Sequence, residues 1–198
     1  MSDEIYPGIP LEGNIVKYGH FIALKHNMTG RFLTSRSGDC YETGSGQQKA
    51  VAAAWEPVPE TMFIVLPCLG DERSPEEDVN FGDLIRLKHV ESRANLHSHP
   101  DFASPLTEQQ EITCFGDDFT TDENDQWVVE QWSFDEAENG EFDVEDPTWY
   151  VGRSFYLRHA STGVTLHSHE ETFGDDTNEV TGYGNGPDEN DRWRVVIE

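Results

Sequence analysis

The chain repeats one arrangement of residues three times, and this repetition restricts its possible folds more than any other feature. In each copy a histidine follows a glycine by seven positions and a leucine by two, and a second leucine stands seven positions after it. The three histidines are His26, His89 and His159, so the period is 63 and then 70 residues. This period exceeds that of common solenoid repeats, and three such units predict a closed structure rather than an open stack.

Each copy has the residue pattern of a β-hairpin followed by further strands. The first segment alternates between two faces, as from Phe21 to His26, which is typical of a half-buried strand. A turn follows, in which Gly30 and Gly163 are expected to supply a positive φ. The last strand of each copy carries an aromatic residue that is expected to be buried: Phe63, Trp127 and Trp193. Four strands per copy predict an all-β, pseudo-threefold fold of about twelve short strands, which is the count of a β-trefoil.

The repeats also predict how the chain is divided. We expect a flexible N-terminal arm over residues 1–13, because its prolines and glycines disfavour helix and strand. A single domain follows over residues 14–198, with repeats at about 14–76, 77–149 and 150–198. Residues 134–147, which lie between the second and third repeats, are rich in acids and are expected to form an exposed, mobile loop.

The net charge of −26 limits the partners of the chain. Such a charge repels nucleic-acid phosphates and anionic lipids, so we expect no nucleic-acid partner. No apolar run reaches the roughly 18 residues that span a bilayer, so no membrane insertion is expected. The first residues do not resemble a signal peptide and the last do not form a retention signal, which predicts a cytoplasmic location. A basic protein remains a possible partner.

Two His-Ser-His triplets are the first candidates for a site: His97 with His99, and His167 with His169. Each pair of rings lies on one face of a strand. Three roles are open for them: a structural pair with one ring buried, contacts to a ligand in a surface cleft, and, least favoured, metal ligands. We expect no metal and no other cofactor.

The histidines that recur once per repeat have a different expected role. Their threefold equivalence favours architecture over chemistry, with each ring bonded to a neighbouring carbonyl. The residues expected to be structural are therefore His26, His89 and His159, together with Phe63, Trp127 and Trp193.

Two glutamine pairs complete the candidate ligand-binding set: Gln47, Gln48, Gln109 and Gln110. Amide side chains donate and accept hydrogen bonds, as neutral sugar hydroxyls require. The same amides could instead cap turns between strands. The acidic turns at 122–125 and 188–191 offer oxygen ligands for calcium, but they lack EF-hand spacing, and Asx turns explain them without an ion.

Together these motifs resemble the MIR domain, a β-trefoil module, over residues 14–198. The resemblance rests on the repeated Gly-x6-His, on Leu-His-Ser-His at 96–99 and 166–169, on Gly-Ser-Gly-Gln-Gln at 44–48 and on Asp-x-Asn-Asp-x-Trp at 122–127. The chain is similar above all to the MIR domains of protein O-mannosyltransferases and of stromal cell-derived factor 2.

The resemblance implies a non-catalytic recognition module that binds a glycan, a glycopeptide or a polypeptide segment in surface grooves. The sequence lacks the catalytic membrane segments of the mannosyltransferases, so transferase activity is not expected. It contains no nucleophile elbow, P-loop or metalloprotease motif, and a hydrolase that uses a carboxylate pair has no specific support. The alternative function is an acidic adaptor that recruits a basic partner protein.

Overall fold

The computed structural model describes residues 2–133, 143 and 145–197, and these residues form an all-β structure with four short 3-10 helices. The fourteen strands are β1 (Ile9–Pro10), β2 (His20–His26), β3 (Leu33–Cys40), β4 (Gln48–Ala52), β5 (Met62–Pro67), β6 (Leu84–His89), β7 (Asn95–His97), β8 (Gln110–Glu111), β9 (Thr113–Phe115), β10 (Trp127–Gln131), β11 (Ser154–His159), β12 (Thr165–Thr172), β13 (Asn178–Tyr183) and β14 (Trp193–Val196). The 3-10 helices are Asp3–Ile5, Pro59–Thr61, Glu123–Asp125 and Glu189–Asp191. Within the described residues, none of these helices has the length and hydropathy needed to cross a bilayer.

Six strands pair edge to edge into a closed ring. The antiparallel pairs are β2 with β5, β5 with β6, β6 with β10, β10 with β11, β11 with β14, and β14 with β2. A closed ring protects the strand edges that would otherwise be free to pair with other chains. The main apolar core includes Phe63, Trp127 and Trp193, each 0% exposed.

The other paired strands form one hairpin in each repeat, and the three hairpins also pair with one another. The hairpins are β3 with β4, β7 with β9 and β12 with β13. We call the pairing of β4 with β9 the first junction, that of β13 with β8 the second junction, and that of β13 with β4 the third junction. Each junction therefore joins two different repeats.

The all-β prediction is confirmed, with fourteen strands among the described residues where about twelve were expected. Two features account for the difference. Residues 9–10 add β1, which pairs in parallel with β2. In the second repeat the last hairpin strand is interrupted at Ile112 and becomes β8 and β9. Most of the predicted insertion at 134–147 lies outside the described residues.

Residues 2–13 differ from the flexible arm that their proline and glycine content predicted. Asp3, Tyr6 and Leu11 are buried against the domain. The Asp3 carboxylate forms ion pairs with Arg86 and Lys88. Proline and glycine disfavour regular structure but not burial, and partners more than eighty positions away leave no local signal.

One histidine in each repeat packs on the aromatic residue that closes a neighbouring repeat. The ring centroids are 4.8 Å apart for His26 and Trp193, 5.3 Å for His89 and Phe63, and 4.8 Å for His159 and Trp127. Nε2 of each imidazole donates to a backbone carbonyl, and Nδ1 is hydrogen-bonded to the hydroxyl of a Thr or Ser in the following turn. Burial lowers the pKa of all three imidazoles, to about 4 for His26. These rings are therefore held neutral inside the domain.

Candidate functional site

The two His-Ser-His triplets each contain one buried ring and one ring nearer the surface. His97 and His167 are buried, and their Nδ1 atoms lie 2.8 Å from Asp125 and 2.9 Å from Asp191. The side chain of His99 is 37% exposed. His169 is less exposed, and its Nε2 lies 3.2 Å from a carboxylate oxygen of Glu179. Only one ring of each pair thus has a position from which it could contact a ligand.

The acidic turns form 3-10 helices whose final carboxylate points into the domain. His97, Asp122 and Asp125 offer ligand atoms within 4.8 Å of one another, and the third repeat has an equivalent cluster around Asp191. The oxygens of Asp125 already accept hydrogen bonds from the backbone N–H of Asp122 at 2.9 Å and from Thr121 at 2.7 Å, in addition to His97. Capping of the turn therefore explains the cluster without an ion.

The two glutamine pairs lie at the first and second junctions, where their amides bond to the neighbouring repeat. At the first junction Thr113 donates to Gln47 (2.6 Å) and Gln48 donates to Ser92 (3.0 Å), and at the second Thr181 donates to Gln109 (2.5 Å) and Gln110 donates to Thr162 (3.1 Å). The amide groups that the sequence suggests for contacts with sugar hydroxyls are thus engaged in bonds between repeats. Both pairs hold repeats together in this structure.

The third junction lacks this arrangement. Strand register places Lys49, Glu111 and Glu179 opposite Thr113, Thr181 and Val51, respectively. Val51 thus stands where the other junctions have a threonine hydroxyl, and Thr177 stands where they have glutamine. A small polar cleft of about 20 Å³ opens here, with Thr177, Asp175 and Phe173 on one side.

The residue two positions after the first glutamine or its equivalent is a buried acid in the second and third repeats, Glu111 and Glu179, and is Lys49 in the first repeat. Burial raises the pKa of Glu111, and the bonds from Ser45 oppose that rise only in part. Burial also tends to raise the pKa of Glu179. Hydrogen bonds to its carboxylate, of which the one from His169 has the largest effect, outweigh burial and hold the pKa of Glu179 below its usual range. Lys49 instead pairs with Asp39 at 3.0 Å and stays partly exposed at the edge of the cleft.

A larger apolar groove runs beside β2, and sequence reasoning missed it. Its volume is about 570 Å³. It is lined by Pro10, Leu11, Phe21, Ile22, Ala23, Pro57, Val58, Pro59, Met62, Val90, Glu91, Val196 and Ile197. These residues come from five separate stretches of chain, and in sequence they cannot be distinguished from core residues. The one sequence feature that sets this region apart is Pro-Val-Pro at 57–59, which stands where the other repeats have Thr-Asp-Glu at 121–123 and Pro-Asp-Glu at 187–189.

The fold and surfaces define a class: a three-repeat β module with a closed barrel, repeated hairpins and shallow surface grooves. The model of the MIR domain family matches residues 39–191. The chain belongs to the MIR domain family, as the repeated motifs predicted.

Relatives of two kinds match the chain. A stromal cell-derived factor 2-like protein of Arabidopsis thaliana is 32% identical over 162 residues, which are 82% of this chain and 68% of that protein. A dolichyl-phosphate-mannose–protein mannosyltransferase of Saccharomyces cerevisiae is 32% identical over 190 residues, 91% of this chain but 23% of the enzyme. The chain thus corresponds to less than a quarter of that enzyme.

Solved structures agree with this assignment. The crystal structure of the SDF2-like protein from Arabidopsis thaliana superimposes with a TM-score of 0.82 at 29% identity, covering 92% of this chain and 94% of that one. A protein described as the BEL β-trefoil gives a TM-score of 0.58 at 17% identity, covering 98% and 99% of the two chains. At that identity the second likeness concerns the fold alone.

Proposed function

We propose that this chain is a non-catalytic recognition module, a β-trefoil of three MIR repeats, that binds a polypeptide segment with apolar side chains flanked by basic residues. The segment docks in the apolar groove beside β2. The observation that carries the proposal is this groove, which is open, largely apolar and bordered by acids. The proposal unites the two functions considered from sequence, a recognition module and an acidic adaptor.

The apolar lining favours a polypeptide over a sugar. Phe21, Val58 and Met62 are only partly buried and face the groove. A groove of about 570 Å³ is within the range of ordinary ligand sites. Each apolar side chain that fills such a site contributes about 1.5–3 kcal/mol to binding. Sugar hydroxyls would find few polar partners there.

The charge around the groove favours basic flanking residues. Glu91 lies in its wall, and Glu12 and Glu56 are exposed next to lining residues in sequence. No Lys or Arg is among the described residues that line it. With a net charge of −26, the chain attracts basic segments over long range and repels acidic ones.

The relatives support a polypeptide ligand. The yeast relative is by name a protein mannosyltransferase, an enzyme that acts on protein. A module that holds a polypeptide segment suits such an enzyme. The transferase activity itself is not proposed for this chain, which corresponds to only 23% of the enzyme.

Peptide binding with matched variants tests the proposal. Short labelled peptides that carry Leu, Val or Phe between Lys residues are titrated by fluorescence anisotropy, beside versions flanked by Glu and versions with Ser in place of the apolar residues. We expect binding of the Lys-flanked apolar peptides and weaker binding of the other two sets. Met62→Ser should weaken binding at least about tenfold, since a methionine side chain that the peptide covers contributes about 1.5–3 kcal/mol.

Leu106→Ser is the control, because Leu106 is apolar, 42% exposed and outside the groove. It should leave the affinity unchanged. Raised ionic strength should weaken binding moderately without abolishing it, because apolar contacts remain. Equal binding of Lys-flanked and Glu-flanked peptides, or equal effects of the Met62 and Leu106 variants, would contradict the proposal.

The polar surface around the cleft at the third junction supports a second candidate function, recognition of a glycan. The cleft itself, about 20 Å³, has room for about one water molecule, so the glycan would lie across its rim and not inside it. Asp39, Asp175, Thr177 and Lys49 offer donors and acceptors there, and the Phe173 ring lies beside them. Oligosaccharide binding measured by calorimetry on the unaltered chain and on Thr177→Val tests this candidate. Thr181→Val is the control at the second junction. Binding that neither change weakens would remove the cleft as a glycan site.

A further inference from the structure

Three basic side chains converge in the second repeat of a chain that contains 13 Lys and Arg residues. Arg86 and Lys88 are two positions apart on β6, so their side chains project from the same face of the strand. Both are buried, and Arg93 approaches them from the following turn. We call these three residues the cationic pocket. Buried cations destabilise a fold unless anions or other acceptors satisfy them. Asp118 pairs with Arg93 at 2.7 Å, and the carbonyls of Arg93 and Asp117 accept from Lys88, so the terminal nitrogens of Arg86 are the groups that require an occupant.

The occupant is the carboxylate of Asp3. Its two oxygens lie 2.8 Å and 2.9 Å from the two terminal nitrogens of Arg86, the paired contact that a planar guanidinium favours. Lys88 Nζ lies 3.1 Å from the same carboxylate. Asp3 belongs to residues 2–8, which precede β1 and which we call the N-terminal segment.

The cationic pocket also contacts the backbone of the N-terminal segment. Arg93 Nη2 donates to the carbonyl oxygens of Asp3 and Tyr6, both at 3.2 Å. The backbone N–H of Asp3 donates to the carbonyl of Asp118 at 2.9 Å. The site therefore recognises a carboxylate on a particular turn of chain, and not negative charge alone.

Arg93 occupies a backbone position that favours glycine. Its φ is 60°, and the equivalent residues Gly30 and Gly163 have φ of 75° and 77°. An arginine with positive φ costs about 1–3 kcal/mol of backbone strain, which other contacts must offset. Here the side chain forms those contacts, with Asp118 at 2.7 Å and with the N-terminal segment.

The pocket is specific to the second repeat. Ala23 and Tyr156 stand three positions before the repeated histidine in the other repeats, where the second repeat has Arg86. Neither can form a paired contact with a carboxylate. A cation at the Lys88 position recurs in the other repeats as Lys25 and Arg158, but Arg86 and Arg93 do not recur, which points to a role particular to the second repeat.

We propose that the cationic pocket is a binding site for a short acidic peptide segment, and that residues 2–8 of this chain are its replaceable occupant. Attachment to the domain gives the segment an effective concentration on the order of millimolar. An acidic peptide in solution must also overcome repulsion by the net charge of −26. The chain's own segment therefore holds the pocket until its carboxylate is removed.

A labelled peptide with the sequence of residues 2–8, added to the full chain carrying Asp3→Ala, tests the proposal. We expect this variant to bind the peptide at least about tenfold more tightly than the unaltered chain does, because its own segment no longer competes. A peptide carrying Asp3→Asn should bind about tenfold more weakly, since a charged hydrogen-bonded contact is lost.

Arg93→Gly, introduced beside Asp3→Ala, separates recognition from folding. Glycine is the natural residue at this position in the other two repeats. Thermal unfolding should therefore change little, while peptide binding weakens about tenfold. Lys25→Ala, at the position equivalent to Lys88 in the first repeat, should leave binding unchanged.

Three results would overturn the proposal. The first is equal binding of the unaltered and Asp3→Asn peptides by the Asp3→Ala chain. The second is unchanged binding after Arg93→Gly. The third is failure of the Asp3→Ala chain to fold, because the segment would then be an integral part of the domain and not a replaceable occupant.

Discussion

Acid should destabilise this fold through its three buried histidines, and His26 allows the effect to be calculated. Nε2 of His26 lies 2.9 Å from the carbonyl of Asn190 and must donate to it, so Nδ1 is the unprotonated nitrogen. Nδ1 accepts from the Thr29 hydroxyl and, at 3.3 Å, from the Thr29 backbone N–H. A proton added at Nδ1 would face that N–H group. Protonation of His26 therefore opposes the folded state.

The sign and size of the pH effect on the free energy of unfolding follow from the difference in the pKa of His26 between the folded and unfolded chain. Burial lowers the pKa of His26 from 6.5 to about 4. Between pH 6.5 and pH 4 the His26 side chain is protonated in the unfolded chain and neutral in the folded chain. The contribution of His26 to the free energy of unfolding is therefore fully present above pH 6.5 and is lost as pH falls toward 4. For His26 alone the loss is about 2 kcal/mol between about pH 8 and pH 5. His89 and His159 are shifted in the same direction and add to it.

Chemical unfolding of the unaltered chain and of His26→Gln, each at pH 8 and pH 5, measures this effect. Glutamine can donate to the Asn190 carbonyl but does not titrate. The 39 acidic residues change charge over the same pH range, but they do so in both proteins, so the comparison uses only the difference between them. The variant should be less stable at pH 8 because it loses the packing on Trp193. The difference in free energy of unfolding between the two proteins should be smaller by about 2 kcal/mol at pH 5. A gap that stays constant, or an NMR titration of His26 near pH 6.5, would refute the reasoning.

Three more substitutions have expected outcomes in urea unfolding. Glu111→Gln should raise the free energy of unfolding at pH 7 and not at pH 4, because burial raises the pKa of Glu111 and the cost of its charge appears only as pH rises; a loss at pH 7 would contradict this. Trp127→Phe should cost about 1–3 kcal/mol, since the Leu96 carbonyl loses its indole donor, and an unchanged midpoint would count against that bond. Asp125→Asn should cost at least about 1.5–3 kcal/mol, because an amide nitrogen would then face the donors around Asp125; equal stability would show that the cap is dispensable.

The repeated features of the fold could be predicted from sequence because they are local and occur three times. Alternation marked the strands, and Gly30 and Gly163 marked the hairpin turns, where both have positive φ. The repeated histidines and closing aromatics pointed to buried positions for the same reason. Threefold agreement thus converted weak local signals into a specific architecture.

The apolar groove, the junctions and the cationic pocket could not be predicted from sequence, because they depend on where the repeats differ and on contacts between residues far apart in the chain. Gln109 has the chemistry of a sugar ligand, but only the register of the second junction shows that its amide accepts from Thr181. Asp3 and Arg86 are 83 positions apart, and no periodicity connects them. The apolar groove is formed by five stretches of chain whose side chains resemble core residues in sequence.

The packing of each repeated histidine on a neighbour's aromatic ring has a consequence for how the molecule comes apart. The contacts run around the barrel from one repeat to the next and return to the first, through His26 on Trp193, His89 on Phe63 and His159 on Trp127. Detaching any one repeat exposes a tryptophan or phenylalanine on one side and strands a neutral imidazole on the other. Loss of structure should therefore occur in one cooperative step, with no surviving fragment of one or two repeats.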